Sequence, residues 1–310
     1  MLINVRNLVK RYGDLLALDH FDLRVDEGEI VGLLGPNGSG KTTAINCILS
    51  LLKYDKGTIE VFGRPMRPDA YEIKRKIGLV PQNVAVFDEL GVEENIDYFC
   101  GLYVPDKKTR RQLVEEAIDF VGLGEFRRFP PRKLSGGLLR RLNIACGMAH
   151  RPRLLILDEP TVGVDPQSRN SILEGIRQLN RQGATVVYTS HYMEEVEQLC
   201  TRIVIMDKGK TLATGTKEEL KAMIDRGETV SVEMHFLSPE DLDQIRRLPH
   251  VIQAHYADHR LSVRYDGGEH NLLPLLDFLK ARDISFNRFF SERPTLNDVF
   301  LEITGRQLRD

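Results

Sequence analysis

The sequence predicts an α/β fold with a parallel sheet, followed by a smaller α+β domain. Two observations carry this. Up to about residue 215, short apolar strands alternate with helical stretches, the pattern of a parallel sheet covered on both faces. Beyond Arg226-Gly227 the pattern changes: TVSVEMHF alternates polar and apolar residues, as a half-buried strand does. The predicted domains are therefore residues 1–226 and 227–310.

In order, LINVRNLVKRYG and HFDLRVDEG read as strands, with a turn at Asp26-Glu27-Gly28. EIVGLLG is an apolar strand running into GPNGSG, and KTTAINCILSLL continues as a helix. TIEVFG and KIGLVPQ are further strands. From Leu90 to His150 the apolar spacing is helical. Spacing with Ile96 places Phe99 and Leu102 in the core, while Phe87 and Leu90 fall in the preceding loop. Strands return at LLILDEP, TVVYTSH and RIVIMDKG, separated by SRNSILEGIRQLNRQG and MEEVEQLC as helices.

In the second part, Ser238-Pro239-Glu240-Asp241 starts a helix with a cap, a first-turn proline and an acid three residues on. VIQAHYAD and LSVRY read as a hairpin, NLLPLLDFLKARD as a helix and ISFNRFF as a strand. Thr295 and Asp298 are spaced as a capping box. Leu296, Val299, Phe300 and Ile303 then make one helix face, which Gly305 ends. This order is ferredoxin-like with an extra terminal helix.

Composition narrows the function. The 310 residues carry a formal net charge of −2, so no basic excess points to nucleic acid. Cys47, Cys100, Cys146 and Cys200 are scattered, which fits a reducing compartment and neither a disulfide framework nor a zinc site. The N-terminus lacks an apolar stretch before a small-residue cleavage site, so no secretory signal is expected. No run approaches the roughly 20 apolar residues that span a bilayer, so a membrane role is expected to run through a partner. His255 and His259 are four apart, but on a predicted hairpin and without a cysteine or carboxylate cluster, so no metal site is expected there.

Three motifs carry chemistry. Gly35-Pro36-Asn37-Gly38-Ser39-Gly40-Lys41-Thr42 is a complete P-loop. Its backbone amides and the following helix N-terminus cradle phosphates, Lys41 reaches the β/γ-phosphates of ATP, and the Thr42 hydroxyl ligates Mg²⁺. Leu154 to Leu157 form a buried strand ending in Asp158 and Glu159, at the edge where open α/β sheets bind ligands. Asp158 is expected to hold Mg²⁺ through water, and Glu159 to take a proton from the attacking water. Ser135-Gly136-Gly137 precedes a helical run and makes a second anion site at a helix N-terminus.

The P-loop, Gln82, LSGG, LLILDEP, Asp165 and His191 stand in the order seen in ATP-binding-cassette (ABC) ATPases, which residues 2 to about 215 resemble. The resemblance implies a P-loop NTPase (RecA-like) core with an antiparallel β subdomain and an α-helical subdomain at about 88–150. It also implies two cassettes packed head to tail. Ser135, Gly136 and Gly137 of one would then contact the γ-phosphate held by the other. Gln82 would sense Mg²⁺ and the attacking water, Asp165 would cross the dimer interface, and His191 would hold the γ-phosphate. Tyr12 would stack on adenine, and Thr43 would complete the ATP site beside Thr42. One departure is Leu138, where the family signature usually has Gln: it offers no side-chain hydrogen bond.

RRLNIA, DEPTVGVDPQSR and PTLNDVFLEITGR are similar to single-cassette subunits of prokaryotic exporters of drugs, polysaccharides or sodium. That likeness implies an integral-membrane permease as partner, a second cassette (a homodimer is expected), a peripheral place on the cytoplasmic face of the membrane, and export. Two other readings fit less well. Soluble translation or DNA-repair cassettes usually carry a second cassette or a long coiled coil, and no sustained heptads separate the P-loop from the signature here. A non-catalytic regulatory module would not need Lys41, Asp158, Glu159 and His191 together.

Overall fold

The computed structural model describes residues 1–224, 229–266, 272–292 and 295–305. These gather into two compact units, within Met1–Lys217 and Glu218–Gln307. Arg226-Gly227, where the sequence pattern changes, lies outside the described residues.

The first unit opens with β1 (Ile3–Tyr12), β2 (Leu15–Val25) and β3 (Ile30–Leu34), then α1 (Lys41–Ile48). It continues with β4 (Lys56–Val61), β5 (Arg64–Pro65), α2 (Tyr71–Lys74) and β6 (Ile77–Val80). A helical stretch follows: α3 (Val92–Gly101), α4 (Lys107–Val121) and α5 (Gly136–Met148). Then come β7 (Leu154–Asp158), α6 (Pro166–Arg181), β8 (Thr185–Ser190), α7 (Met193–Leu199), β9 (Arg202–Asp207) and β10 (Lys210–Gly215). The helix α8 (Lys217–Ala222) lies at the division between the units.

Six strands form one sheet in the order β10-β9-β3-β8-β7-β6. All pairs are parallel except β10 with β9. Every residue of β3, β7 and β8 is buried, as the continuous apolar runs require. A second, antiparallel sheet runs β2-β1-β4-β5. One apolar cluster joins the two, including Ile3, Phe21, Leu33, Ile45, Ile156 and Val204. Each such side chain contributes about 1.5–3 kcal/mol on burial, so β3 and β7 meet the P-loop and the carboxylates as rigid rails.

The second unit is β11 (Thr229–Glu233), α9 (Pro239–Ile245), β12 (Val251–Ala257), β13 (Arg260–Tyr265), α10 (Leu272–Ala281), β14 (Arg288–Glu292) and α11 (Leu296–Thr304). Its antiparallel sheet runs β12-β13-β11-β14, the ferredoxin-like order. Ser238 caps α9 by accepting from the Asp241 amide. Thr295 and Asp298 close the capping box of α11, and Gly305 ends that helix at φ +69°.

Four details differ from the sequence reading. The helix α1 stops at Ile48, and Leu51 beyond it is 61% exposed. Within ISFNRFF only Arg288 to Phe290 are strand. Ile303, in the last turn of α11, is largely outside the buried face formed by Leu296, Val299 and Phe300. Leu102 is exposed rather than core: as the C-cap of α3 it keeps helical geometry, and four residues after the exposed Tyr98 it shares that residue's face rather than the face of Ile96.

Candidate nucleotide site

The turn after β3 is shaped by space as much as by flexibility. A Cβ on Gly35 would stand 2.3 Å from the Met206 carbonyl oxygen. Gly40 adopts φ +106°, and a Cβ there would meet the Ala17 carbonyl oxygen at 2.8 Å. Only glycine fits both constraints at residue 40. The turn between β9 and β10 buttresses the loop, with the Gly209 amide donating to the Ser39 carbonyl oxygen at 2.9 Å. No acidic residue stands in the first turn of α1, so its N-terminal amides favour an anion.

A cleft of about 570 Å³ opens over this loop, within the range of small-molecule sites. Tyr12, Leu15, Leu16 and Ala17 line it together with Asn37, Gly38, Gly40, Lys41, Thr42 and Thr43. Gln82, Glu159 and Lys208 complete the wall. Tyr12 is half-exposed, and Lys10 Nζ lies 5.0 Å from its ring centroid. Lys208 was not picked out from the sequence, since a lone lysine in a hairpin turn carries no pattern.

The two carboxylates sit where β7 ends. Parallel pairing of β7 with β8 sets Asp158 opposite Thr189. Thr189 Oγ1 donates to Asp158 Oδ1 at 2.6 Å and accepts from the Glu159 amide at 2.9 Å. Glu159 takes φ +47°, a left-handed conformation that costs a non-glycine residue about 1–3 kcal/mol. This turn aims its carboxylate into a group of three partners. Lys41 Nζ lies 3.0 Å from Oε1; Gln82 Nε2 and His191 Nδ1 each lie 3.2 Å from Oε2. Lys41 also donates to the carbonyl oxygens of Gly35 at 2.8 Å and Pro36 at 3.1 Å.

Two residues of α5 hold the Gln82 loop. Arg140 donates to the Gln82 carbonyl oxygen. Burial lowers the Arg140 pKa, and the charge of Glu159 opposes that shift. Asn143 donates to the Pro81 carbonyl oxygen at 3.2 Å and accepts from the Ala85 amide at 3.1 Å. Neither was singled out in the sequence, because their partners stand some sixty residues away.

Ser135, Gly136 and Gly137 open α5, where Ser135 Oγ accepts from the Leu138 amide at 3.3 Å. Leu138 thus takes part through its backbone. Gly137 packs on the start of α6, where a Cβ would meet Ser168 Oγ at 2.9 Å and Asp165 Oδ2 at 3.3 Å. Asp165 caps α6 by accepting from the Ser168 amide at 2.9 Å, a bond that holds its carboxyl below the usual range. The structure therefore makes two groups. Tyr12, the P-loop residues Asn37, Gly38 and Gly40 to Thr43, Gln82 and Glu159 line the cleft; His191 joins them through Glu159, and Asp158 through the Thr189 hydroxyl it shares with Glu159. Ser135, Gly136, Gly137 and Asp165 gather instead at the α5–α6 starts, with no contact to that group among the described residues.

A P-loop opening a helix, beside a strand ending in two carboxylates, defines a P-loop ATPase of the α/β class. Comparison narrows this further. The family model described as ABC transporter matches residues 18–162, and that of the ATP-binding protein DrrA1-3-like C-terminal domain matches residues 215–304. The chain is 38% identical over 311 residues to the linearmycin resistance ATP-binding protein LnrL of Bacillus subtilis (strain 168), covering all of both chains. It is 34% identical to the Nod factor export ATP-binding protein I of Sinorhizobium fredii (strain NBRC 101917 / NGR234), covering 99% of this chain and 87% of that one. Among solved structures, it matches the dimeric post-hydrolysis state of the ATP-binding cassette MJ0796 bound to ADP and Pi. That match has a TM-score of 0.64 and 27% identity, over 69% of this chain and 98% of that one. The chain belongs to the ATP-binding subunits of ABC transporters, and it is an ATPase.

Proposed function

We propose that the chain is the ATP-hydrolysing motor of an exporter, in which Glu159 is the general base. The observation that carries this reading is the convergence of Lys41, Gln82 and His191 on the Glu159 carboxylate. Glu159 takes a proton from water as its oxygen attacks the γ-phosphorus and ADP leaves. Lys41 offsets charge on the β/γ-phosphates, His191 donates toward the γ-phosphate and Tyr12 stacks on adenine. The P-loop from Gly35 to Thr43, including Pro36, Asn37, Gly38, Ser39 and Gly40, wraps the phosphates. Thr42, Gln82 and Asp158 offer hydroxyl, amide and carboxylate oxygens, a hard donor set that suits Mg²⁺. When bound, Mg²⁺ neutralises charge on the β- and γ-oxygens.

The apartness of the signature group supports a site finished by a second cassette. Ser135 and the amides of Gly136 and Gly137 would then meet the γ-phosphate held by the partner, with Asp165 at the interface. The names of the relatives described above, a linearmycin resistance protein and a Nod factor export protein, support outward transport. No described helix is long and apolar enough to cross a membrane. As in the transporter subunits it resembles, the chain passes work to an integral-membrane permease from the cytoplasmic face. A groove of about 320 Å³ lined by Leu51, Leu79, Phe99, Leu102, Tyr103 and His150 is the docking surface.

Steady-state hydrolysis by Glu159→Gln tests the assignment. Gln keeps the size and the hydrogen bonding but accepts no proton at neutral pH, so turnover falls ~10²–10⁴-fold. Turnover within threefold of wild type overturns the reading.

A further inference from the structure

A further buried carboxylate, besides Asp158 and Glu159, has no part in the chemistry above. Glu195, in α7, is 2% exposed. Its Oε2 accepts from three hydroxyls: Tyr188 at 2.7 Å, Thr161 at 2.8 Å and Ser190 at 3.1 Å. Its Oε1 lies 3.2 Å from Arg169 Nε. Burial, then the charge of Glu195, pushes the Tyr188 hydroxyl well above its usual range, so it stays a donor. A buried charge with this many partners is firmly located, and removing it strands all of them.

The partners are not scattered. Ser190 immediately precedes His191, and its Oγ also accepts from the amide of Tyr192, immediately after His191, at 2.9 Å. The Tyr192 ring carries the Arg169 guanidinium on its face, 5.0 Å from the centroid. His191 is thus flanked on both sides by residues tied to the Glu195–Arg169 pair. Thr161 lies two residues after Glu159, in the loop that runs to Asp165. Arg169 lies in the first turn of α6 and donates its amide to the Asp165 carbonyl oxygen at 2.9 Å.

We infer that Glu195 is a positioning residue for ATP hydrolysis: it holds the Ser190–His191–Tyr192 turn against Glu159 and ties that turn to the loop bearing Asp165. The inference rests on the reading of His191 and Glu159 proposed above. A displacement of His191 by an ångström is enough to slow a positioned reaction by ~10²-fold. Glu195→Gln keeps the shape, removes the charge opposite Arg169 and turns an amide toward donors.

The test is a double-mutant cycle on the full chain, with Mg-ATP turnover, KM and melting temperature measured for Glu195→Gln, His191→Ala and both together. Glu195→Gln is expected to lower kcat ~10–100-fold with KM within about twofold. Added to His191→Ala, it is expected to cost no more than about twofold further, because its effect runs through that side chain. Wild-type kcat in folded Glu195→Gln, or an undiminished further loss in the His191→Ala background, overturns the inference alone. Wild-type turnover in His191→Ala overturns the reading beneath it and the inference with it. Should Glu195→Gln be unfolded at the assay temperature, Ser190→Ala carries the same cycle, with the same outcomes deciding it.

Discussion

Lys41 and Glu159 form an ion pair at 3.0 Å, with side chains only 4% and 5% exposed. The P-loop lysine and the carboxylate proposed as general base are thus each other's counter-charge, and both line the cleft. A triphosphate that takes the lysine competes with that carboxylate and with the Gly35 and Pro36 carbonyl oxygens for it.

This pairing separates two substitutions. Glu159→Gln removes the competitor for Lys41, so ATP is expected to bind as tightly as to wild type or several-fold more tightly. Lys41→Ala removes a charge-assisted hydrogen bond worth about 1.5–3 kcal/mol, so affinity is expected to fall roughly 10–100-fold. It also leaves Glu159 buried without its cation, a loss that costs on the order of 3–5 kcal/mol of stability. Calorimetric titration with ATP and thermal unfolding of both variants check this. Equal affinities in the two would remove Lys41 from the phosphate site.

Dimerisation is expected to require ATP that is bound and not hydrolysed. Ser135 and Gly136 are exposed at the start of α5, and in the proposed arrangement their ligand is the γ-phosphate of a second cassette, which ADP lacks. Light scattering of Glu159→Gln is expected to show a dimer with Mg-ATP and a monomer with ADP. The same mass in both nucleotides would speak against a homodimer held through the γ-phosphate.

Contiguous motifs were legible because their chemistry is local. A glycine-rich turn between an apolar strand and a helix builds its own anion site, and an apolar strand ending in Asp158-Glu159 brings its own carboxylates. The groups that aim those motifs were not legible. Arg140 and Asn143 reach the Gln82 loop, Glu195 gathers Thr161 and Tyr188, and Lys208 lines the cleft, each from a distance no spacing rule covers. Asn95 is another: fully buried, it accepts from the Phe87 amide and donates to the carbonyl oxygens of Phe87, Leu90 and Gly91, closing that loop. Leu102 shows the limit of a three-residue spacing, since six residues after Ile96 the helix has turned it onto the face of the exposed Tyr98.

His150 gives a prediction about pH. Its ring stacks on Tyr103, with centroids 3.9 Å apart and planes 10° from parallel. Burial pushes its pKa down to about 4 against the opposing pull of the Ile77 carbonyl. The unfolded chain therefore binds the proton more tightly than the folded one. The stability that goes with neutral His150 is complete above pH about 6.5 and is lost as pH falls toward about 4. The shift corresponds to a loss on the order of 3 kcal/mol. Denaturant unfolding from pH 7.5 to 4.5 is expected to show this slope in wild type and a shallower one in His150→Phe. Parallel slopes would mean that His150 titrates normally.

The groove around that histidine supplies the last prediction. Leu51 and Leu102 stand at its edge, 61% and 60% exposed, and Phe99, Tyr103 and His150 form its walls. Apolar side chains left in the open around a concave surface mark a partner site. Phe87 does not stand with them: its ring packs edge-on to Tyr98 at 4.9 Å and stacked with Phe99 at 5.8 Å, and Asn95 holds its backbone. Phe87→Ala is therefore expected to loosen the wall of the groove, costing less than the roughly 3–5 kcal/mol of a fully buried phenylalanine because the ring is 41% exposed. Leu102→Asp separates docking from folding more cleanly. Leu102 is the exposed C-cap of α3 and is not among the residues lining the nucleotide cleft, so melting temperature and basal ATP turnover are expected to stay near wild type. A charge on the rim puts a carboxylate against the apolar face of the docked permease, where an unpaired charge is strongly disfavoured. Co-purification of the chain with its co-expressed membrane subunit is expected to fall at least tenfold. Unchanged recovery of the complex with a folded, active Leu102→Asp chain would place the permease contact on another surface.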